Sequence, residues 1–360
     1  MRHATCMSTL LRATTTTSFR PANWGCARSG SIAMGNGGSR APRASSPISP
    51  AFPAHSMSLS LLEGFRLREA TADDVERAAA LFRAEEEDLR GRSDWGVEET
   101  AHIWRLANLE ATWIVETAGG STAAIVLAID RGGDREAWVT VHPDFSGQGL
   151  ATALLAETEQ RARDAGLGKL KLGAFSENSG ARTLFARHGF REARHYYGMR
   201  IDFDGPPSPP SWPPGIEVST FRPEDARAFH RALGESFEDE WGFHQPPYEE
   251  WKRERLDAPE TDTSLWFVVR EGDEIAAVAR CDPKREGGGW VGALGVRKPW
   301  RKRGIGLALL QHTFVEFHRR GESHVGLGVD TQNPSGATRL YERAGMRVIS
   351  EDVVYEKDLT

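Results

Sequence analysis

Apolar positions along this chain fall into two textures. Short, dense runs rich in Val, Ile, Trp and Phe are closed by Gly or acidic turn residues, and longer stretches repeat apolar residues at three- and four-residue spacing. The first texture predicts strands and the second predicts helices with one buried face. "FRLREAT" from Phe65, "ATWIVET" (Ala111 to Thr117), "STAAIVLAI" (Ser121 to Ile129) and "EAWVTV" (Glu136 to Val141) read as strands. So do "IEVSTFR" from Ile216, "SLWFVVR" (Ser264 to Arg270), "EIAAVARC" (Glu274 to Cys281) and "WVGALGV" (Trp290 to Val296). Helices are predicted after Thr71 and Thr220, where acids in the first turn favour a helix start, and after the glycines near 149 and 304. Each series closes with a strand ("LKLGAF"; "VGLGVD"), a short helix and a last strand.

The two series are one unit written twice. "VHPDFSGQGLATALL" (Val141 to Leu155) aligns with "VRKPWRKRGIGLALL" (Val296 to Leu310) at an offset of 155 residues, which also pairs Gly166 with Gly321 and Asn178 with Asn333. After one inserted residue, Leu184 meets Leu340 and Gly189 meets Gly345. This period is too long for a solenoid repeat, so it marks a duplicated domain. Strands with helices inserted between them give an α/β (α+β) fold, in which a mixed, mostly antiparallel twisted sheet in each unit is flanked by helices. The expected boundaries are 63–202 and 216–360. Between them "FDGPPSPPSWPPG" (Phe203 to Gly215) carries six prolines and reads as a stiff linker, unless Trp212 draws it between the halves.

Residues 1–62 differ from the rest. They hold six arginines, no lysine and no acid, which leaves 39 basic against 51 acidic residues in the remainder. Small and polar residues dominate, so this segment cannot build a core and is expected to be a disordered extension. An organelle transit peptide, or a true start at Met57, are the alternatives. The net charge of −6 argues against general nucleic-acid affinity, and no apolar run is long enough to span a membrane as a helix. Three cysteines, Cys6, Cys26 and Cys281, form neither a disulfide framework nor a zinc cluster, so a cytoplasmic protein without a metal is expected.

The local charge of "RKPWRKRG" therefore needs a local explanation. Gly304 and Gly306 stand between a strand and a helix, where unpaired amides and the helix dipole favour an anion, and phosphate is the usual guest. Arg301, Lys302 and Arg303 add positive charge around that turn. A Walker loop and a dinucleotide fingerprint are both missing their required residues. Arg301-x-x-Gly304-x-Gly306 after a strand, followed by "VDTQNPSGATRLYERAGM" (Val329 to Met346), resembles the acetyl-CoA site of the GNAT N-acetyltransferase superfamily. The resemblance covers both halves.

That resemblance implies a tandem GNAT fold and transfer of an acetyl group from acetyl-CoA to a primary amine of a small molecule. It implies that Gly304, Ile305 and Gly306 cradle the pyrophosphate with Arg301, Lys302 and Arg303. Backbone amides of Leu294 and Val296, at a bulge, would face the thioester and pantetheine. Asn333 would bind pantetheine, although an N-cap role with Pro334 at the first helical position is an equal reading. Tyr341 is the implied acid for the departing thiolate. For the base, Asp282 and Glu240 are the candidates, with Asp239 and His244 beside the latter. In the first half Ser146, Gln148 and Phe185 stand where Arg301, Arg303 and Tyr341 stand, so the active site is expected in the C-terminal half. A CoA-sensing duplicate and a nucleotide-binding module remain open, as does the choice between monomer and homodimer.

Overall fold

A computed structural model describes residues 63–93, 95–258, 261–285, 287–333 and 335–359. The leader at 1–62, and with it the expectation of a disordered extension, lies outside the described residues, as does Pro334.

The first half runs β1 (Phe65–Glu69), α1 (Val75–Arg90), α2 (Val97–Trp104), β2 (Trp113–Thr117), β3 (Thr122–Arg131), β4 (Asp134–Val141), α3 (Leu150–Asp164), β5 (Lys169–Phe175), α4 (Ser179–Arg187) and β6 (Arg191–Asp202). The second repeats it as β7 (Ile216–Thr220), α5 (Ala226–Phe237), α6 (Tyr248–Trp251), β8 (Trp266–Glu271), β9 (Glu274–Arg285), β10 (Gly288–Val296), α7 (Ile305–Arg319), β11 (His324–Asp330), α8 (Ala337–Arg343) and β12 (Arg347–Asp358). Every strand read from the apolar runs is present. The sequence reading missed α2, the short α6 and the π turn over Lys252–Leu256 that continues it. The charge-rich "YEEWKRERL" hides its apolar contacts in Tyr248 and Trp251, which pack with His230 and Phe229.

The twelve strands form one sheet in the order β1-β2-β3-β4-β5-β12-β6-β11-β10-β9-β8-β7. Only β4–β5 and β10–β11 are parallel, as expected for strands joined through a helix. The order holds a feature that the duplication does not announce: the halves exchange their last strands. β12 pairs with β5 of the first half, and β6 pairs with β11 of the second. The boundary at 202 thus divides the repeat in sequence but not in space.

Two faces cover this sheet in the second half. Ile305, Leu309, Phe314 and Phe317 of α7 are fully buried against Val291, Val325 and Leu327, as their helical spacing predicts. On the opposite face Phe229, Trp251 and Trp266 stack, with Phe229 and Trp266 ring centres 5.3 Å apart. The proline-rich segment packs on the second half rather than between the halves: Trp212 lies edge-on to His312 of α7, and Phe203 lies against Phe314 and His318. Apolar area on α7 is what holds this stretch of chain.

Candidate active site

The splay between two parallel strands creates the site. β10 pairs with β11 only at Gly289 and Trp290, and β10 then shifts register against β9 between Val291 and Ala293. The extra residue is Gly292, a β-bulge two residues before Leu294. The Arg297 amide donates to Ala276 of β9. By alternation the Leu294 and Val296 amides point the other way, into the widening gap toward β11. In the first half β4 and β5 pair from Asp134 to Ala137 and then part in the same manner.

The glycine turn closes the mouth of this gap. Gly304 caps α7 with φ +87°, and its counterpart Gly149 caps α3 with φ +85°. A Cβ on Gly304 would meet nothing, so the turn is open on its outer side. A Cβ on Gly306 would lie 3.0 Å from Leu340 and 3.4 Å from Val296, so glycine there permits close packing of α7 on α8 and β10. Lys302 is left-handed at φ +62°, where the first half has Gly147 at φ +75°. A non-glycine residue in that region costs roughly 1–2 kcal/mol. The strain brings consecutive amides to one side of the turn, together with the unpaired amides of Ile305 and Gly306.

The cations behave differently from the expectation. Arg301 turns inward: Nε donates to the Val296 carbonyl at 3.0 Å, Nη2 to the Ser236 carbonyl at 3.0 Å, and Nη1 to Asp239 at 3.2 Å. It ties β10 to the end of α5. Arg303 forms a two-pronged pair with Glu271, which also accepts from the Trp300 indole at 2.8 Å and is held near 2 by those donors. Lys298 pairs with Glu238 and Asp239. Lys302 has no acid partner among the described residues and is exposed.

Behind the gap, Glu240 bonds Asn333, and its charge reaches Tyr341. Asn333 Nδ2 donates to Glu240 Oε1 at 2.7 Å, while its Oδ1 accepts from the Ser335 amide at 2.8 Å. The N-cap of α8 is Gly336, so Asn333 links two loops instead of capping the helix. Burial pushes the Glu240 carboxyl up to about 7, the Asn333 bond pulls against this, and Asp330 adds to it. The Tyr341 phenol is raised above its ordinary value by burial and by Glu240, so it stays protonated. Asp239 and His244 do not join them. Asp239 faces Lys298 and Arg301, and the His244 imidazole faces the Gly242 carbonyl. Asp282 stands apart on β9, bonded by Arg280 at 2.9 Å and Arg285 at 3.3 Å.

Three participants went unread in the sequence. Asp330 ends β11 beside Asn333, and burial raises its carboxyl. Tyr196 on β6 is buried, and it comes from the other half by strand exchange. Trp241 crosses the seam, 4.6 Å from the Arg194 guanidinium and 5.3 Å from the Lys171 ammonium. Contacts between halves leave no periodic trace, so no local signal marks them.

The first half keeps a weaker copy. Glu85, Thr140, Asn178, Phe185 and Asp352 line a cleft at its splay, and Asn178 donates to Glu85 at 3.3 Å. Burial pushes the Glu85 carboxyl to about 7 as well. Phe185 is buried against Phe190 and Tyr355, with no proton to give. Among the described residues no cluster of His, Cys, Asp and Glu could hold a metal, and no helix is long and apolar enough to cross a membrane.

Comparison with known proteins agrees with this architecture. The "Acetyltransferase (GNAT) family" matches residues 226–346, and an "Acetyltransferase (GNAT) domain" matches 108–192. A mycothiol acetyltransferase of Geodermatophilus obscurus is 29% identical over 62% of this chain and 74% of its own length. One from Thermobispora bispora is 30% identical over 61% and 75%. A solved GCN5-related N-acetyltransferase from Sphaerobacter thermophilus superposes with a TM-score of 0.73 at 33% identity, covering 82% of this chain and 96% of that one. A tandem GNAT protein from the clavulanic acid biosynthesis pathway, at 16% identity and a TM-score of 0.64 over 82% and 99%, shares the fold. Two splays in one sheet, two glycine turns and two family matches in one chain have a single explanation: the protein belongs to the GNAT family, as a tandem, acyl-CoA-dependent N-acetyltransferase.

Proposed function

We propose that transfer takes place in the C-terminal half, with a small-molecule primary amine as acceptor. The observation that carries this reading is the Glu240–Asn333 pair, a proton acceptor near 7 whose charge reaches Tyr341, a phenol that stays protonated. The first half has the acid and the asparagine but not the phenol.

The family uses acetyl-CoA, which supplies an activated acetyl thioester. The open Gly304 turn, the first-turn amides of Ile305 and Gly306, and Lys302 fit its pyrophosphate. Arg301 supports that turn from behind, and Arg303 stands at its rim. Leu294 and Val296 offer amides to the thioester carbonyl, where negative charge develops. Asn333 orients Glu240. Glu240 takes the proton of the incoming ammonium, and a carboxylate near 7 is ionised often enough at neutral pH to do so. As the C–N bond forms and the C–S bond breaks, Tyr341 Oη gives its proton to the departing thiolate and recovers one from the nitrogen of the new amide. Asp282, engaged by two guanidiniums, is left a positioning role.

The names of the relatives favour a more specific second reading, an acceptor on the path to mycothiol. Thiol release from acetyl-CoA, measured across a panel of primary amines, tests the first reading. Turnover of amines by wild type and its loss in Glu240→Gln support it, whereas turnover that survives this substitution contradicts it.

A further inference from the structure

The seam between the halves gathers guanidiniums that the transfer step does not use. β9 ends in Arg280, Asp282 and Arg285, and both arginines reach the one aspartate. Gly292 makes room for them, since a Cβ there would lie 2.8 Å from both Arg280 Nη2 and Asp282 Oδ2. The Arg285 Nε is buried without a hydrogen-bond partner among the described residues, and its guanidinium lies 5.9 Å from the Trp290 ring centre. Other elements bring more charge. Arg255 comes from the π turn after α6, Arg131 from the end of β3, and His102 with Arg105 from the end of α2. Arg280, Arg131 and Arg285 all act on Arg255, whose charge is disfavoured first by burial and then by Arg280. His102 is held well below its usual range by burial and then by Arg285, Arg255, Arg105 and Arg280.

Five guanidiniums from both halves thus share a region in which the described acids are Asp282, Glu254 and Glu136. The region adjoins the transfer centre through β10, where Gly292 stands two residues before Leu294. Tyr196 feels Asp330, Glu136 and Glu240, and Glu136 in turn acts on Arg131. One end of the seam offers carboxylates to a cation, and the other offers guanidiniums to an anion. Guanidiniums bond carboxylate and phosphate oxygens in pairs, and such charge-assisted bonds are the strong ones.

We propose that the seam holds the far end of the acceptor, and that the acceptor is an amine carrying an anionic oxyacid group, carboxylate or phosphate, remote from its reacting nitrogen. This rests on the placement of transfer at Glu240. The bulge glycine that opens the thioester gap also seats Arg280 and Asp282, so one strand sets both ends of the acceptor.

Two measurements test this independently. Calorimetry with inorganic phosphate, and separately with succinate, is run on the full chain saturated with coenzyme A so that the Gly304 turn is filled. Binding of either anion by wild type, weakened at least tenfold in Arg280→Gln or Arg285→Gln, supports the proposal, and the anion bound more tightly identifies the group. No binding, or equal binding by wild type and both variants, overturns it. The second measurement compares kcat/KM for glucosamine 6-phosphate and glucosamine. A preference for the phosphorylated amine that falls at least tenfold in either variant supports the proposal. Equal turnover of both amines overturns this inference alone and leaves transfer at Glu240 standing. If neither amine is acetylated, the calorimetry decides. Should Arg280→Gln fail to fold, Arg285→Gln carries the test.

Discussion

Asn333 Nδ2 lies 2.7 Å from Glu240 Oε1, joining the loop after β11 to the loop after α5 behind the parted strands. The first half holds the same pair of residue types, Asn178 and Glu85, at 3.3 Å. Both carboxyls are pushed to about 7, and burial is the leading cause in each. The halves differ in what stands opposite: a phenol in one and a phenyl ring in the other.

The pH dependence of turnover should follow Glu240. Its basic form fills as pH rises through about 7, so kcat should climb along an acidic limb centred near that value. Asn333→Ala removes the hydrogen bond that, with the more distant Arg301 charge, holds the carboxyl down, so the limb should move to higher pH. A pH–rate profile of wild type and variant checks the direction.

Stability should show the opposite trend. An ordinary glutamate titrates at 4.5, and both carboxyls titrate higher in the folded chain. Between those values the folded state keeps a proton that the unfolded state has lost. Folding stability therefore falls as pH rises from about 4.5 to about 7, and the loss persists above. Glu85→Gln should raise Tm at pH 8 and leave it nearly unchanged at pH 4, as read by thermal unfolding at the two values.

Tyr341→Phe copies Phe185 of the first half. Loss of a positioned acid costs on the order of 10²–10⁴ in rate. The ring still packs beside Leu340 and Ala344, so binding of acetyl-CoA should change less than about threefold. Steady-state and equilibrium binding measurements on the one variant separate the two effects.

Arg301→Ser should act on the fold before it acts on phosphate. The Val296 and Ser236 carbonyls would lose their donor, at a cost of about 1–3 kcal/mol. Denaturant unfolding should show that loss in the absence of any coenzyme. Lys302→Gly, which relieves a left-handed lysine, should gain about 1 kcal/mol in the same assay.

Much of this was legible in the chain. The strands, the duplication and the glycine turn follow from local periodicity and from glycines at 149 and 304 that the backbone needs at positive φ. The asymmetry of the halves was readable at Tyr341 and Phe185. What was not legible depends on long-range pairing. Nothing in "REARHYYGMRID" says that β6 will lie between β11 and β12, because a strand's apolar pattern fixes which face it buries and not which neighbour it takes. Nor does the sequence show where a charge will turn: the nearest partners of Arg301 are two carbonyls and an aspartate. Strand exchange has its own consequence. Residues 216–360 expressed alone lack β6 and should be insoluble or molten, whereas co-expression with residues 63–215 should restore a folded complex visible by size-exclusion chromatography.

We propose that Glu240, and not its counterpart Glu85, serves the transfer step. Replacing each by glutamine keeps the shape, removes a buried carboxylate and leaves an oxygen for the partner asparagine. The kcat of Glu240→Gln and Glu85→Gln with the same acceptor and saturating acetyl-CoA is the most direct test. A fall of at least 10² is expected for Glu240→Gln and a change of less than about threefold for Glu85→Gln. A steep loss in Glu85→Gln with Glu240→Gln near wild type would contradict it and move the active site to the first half.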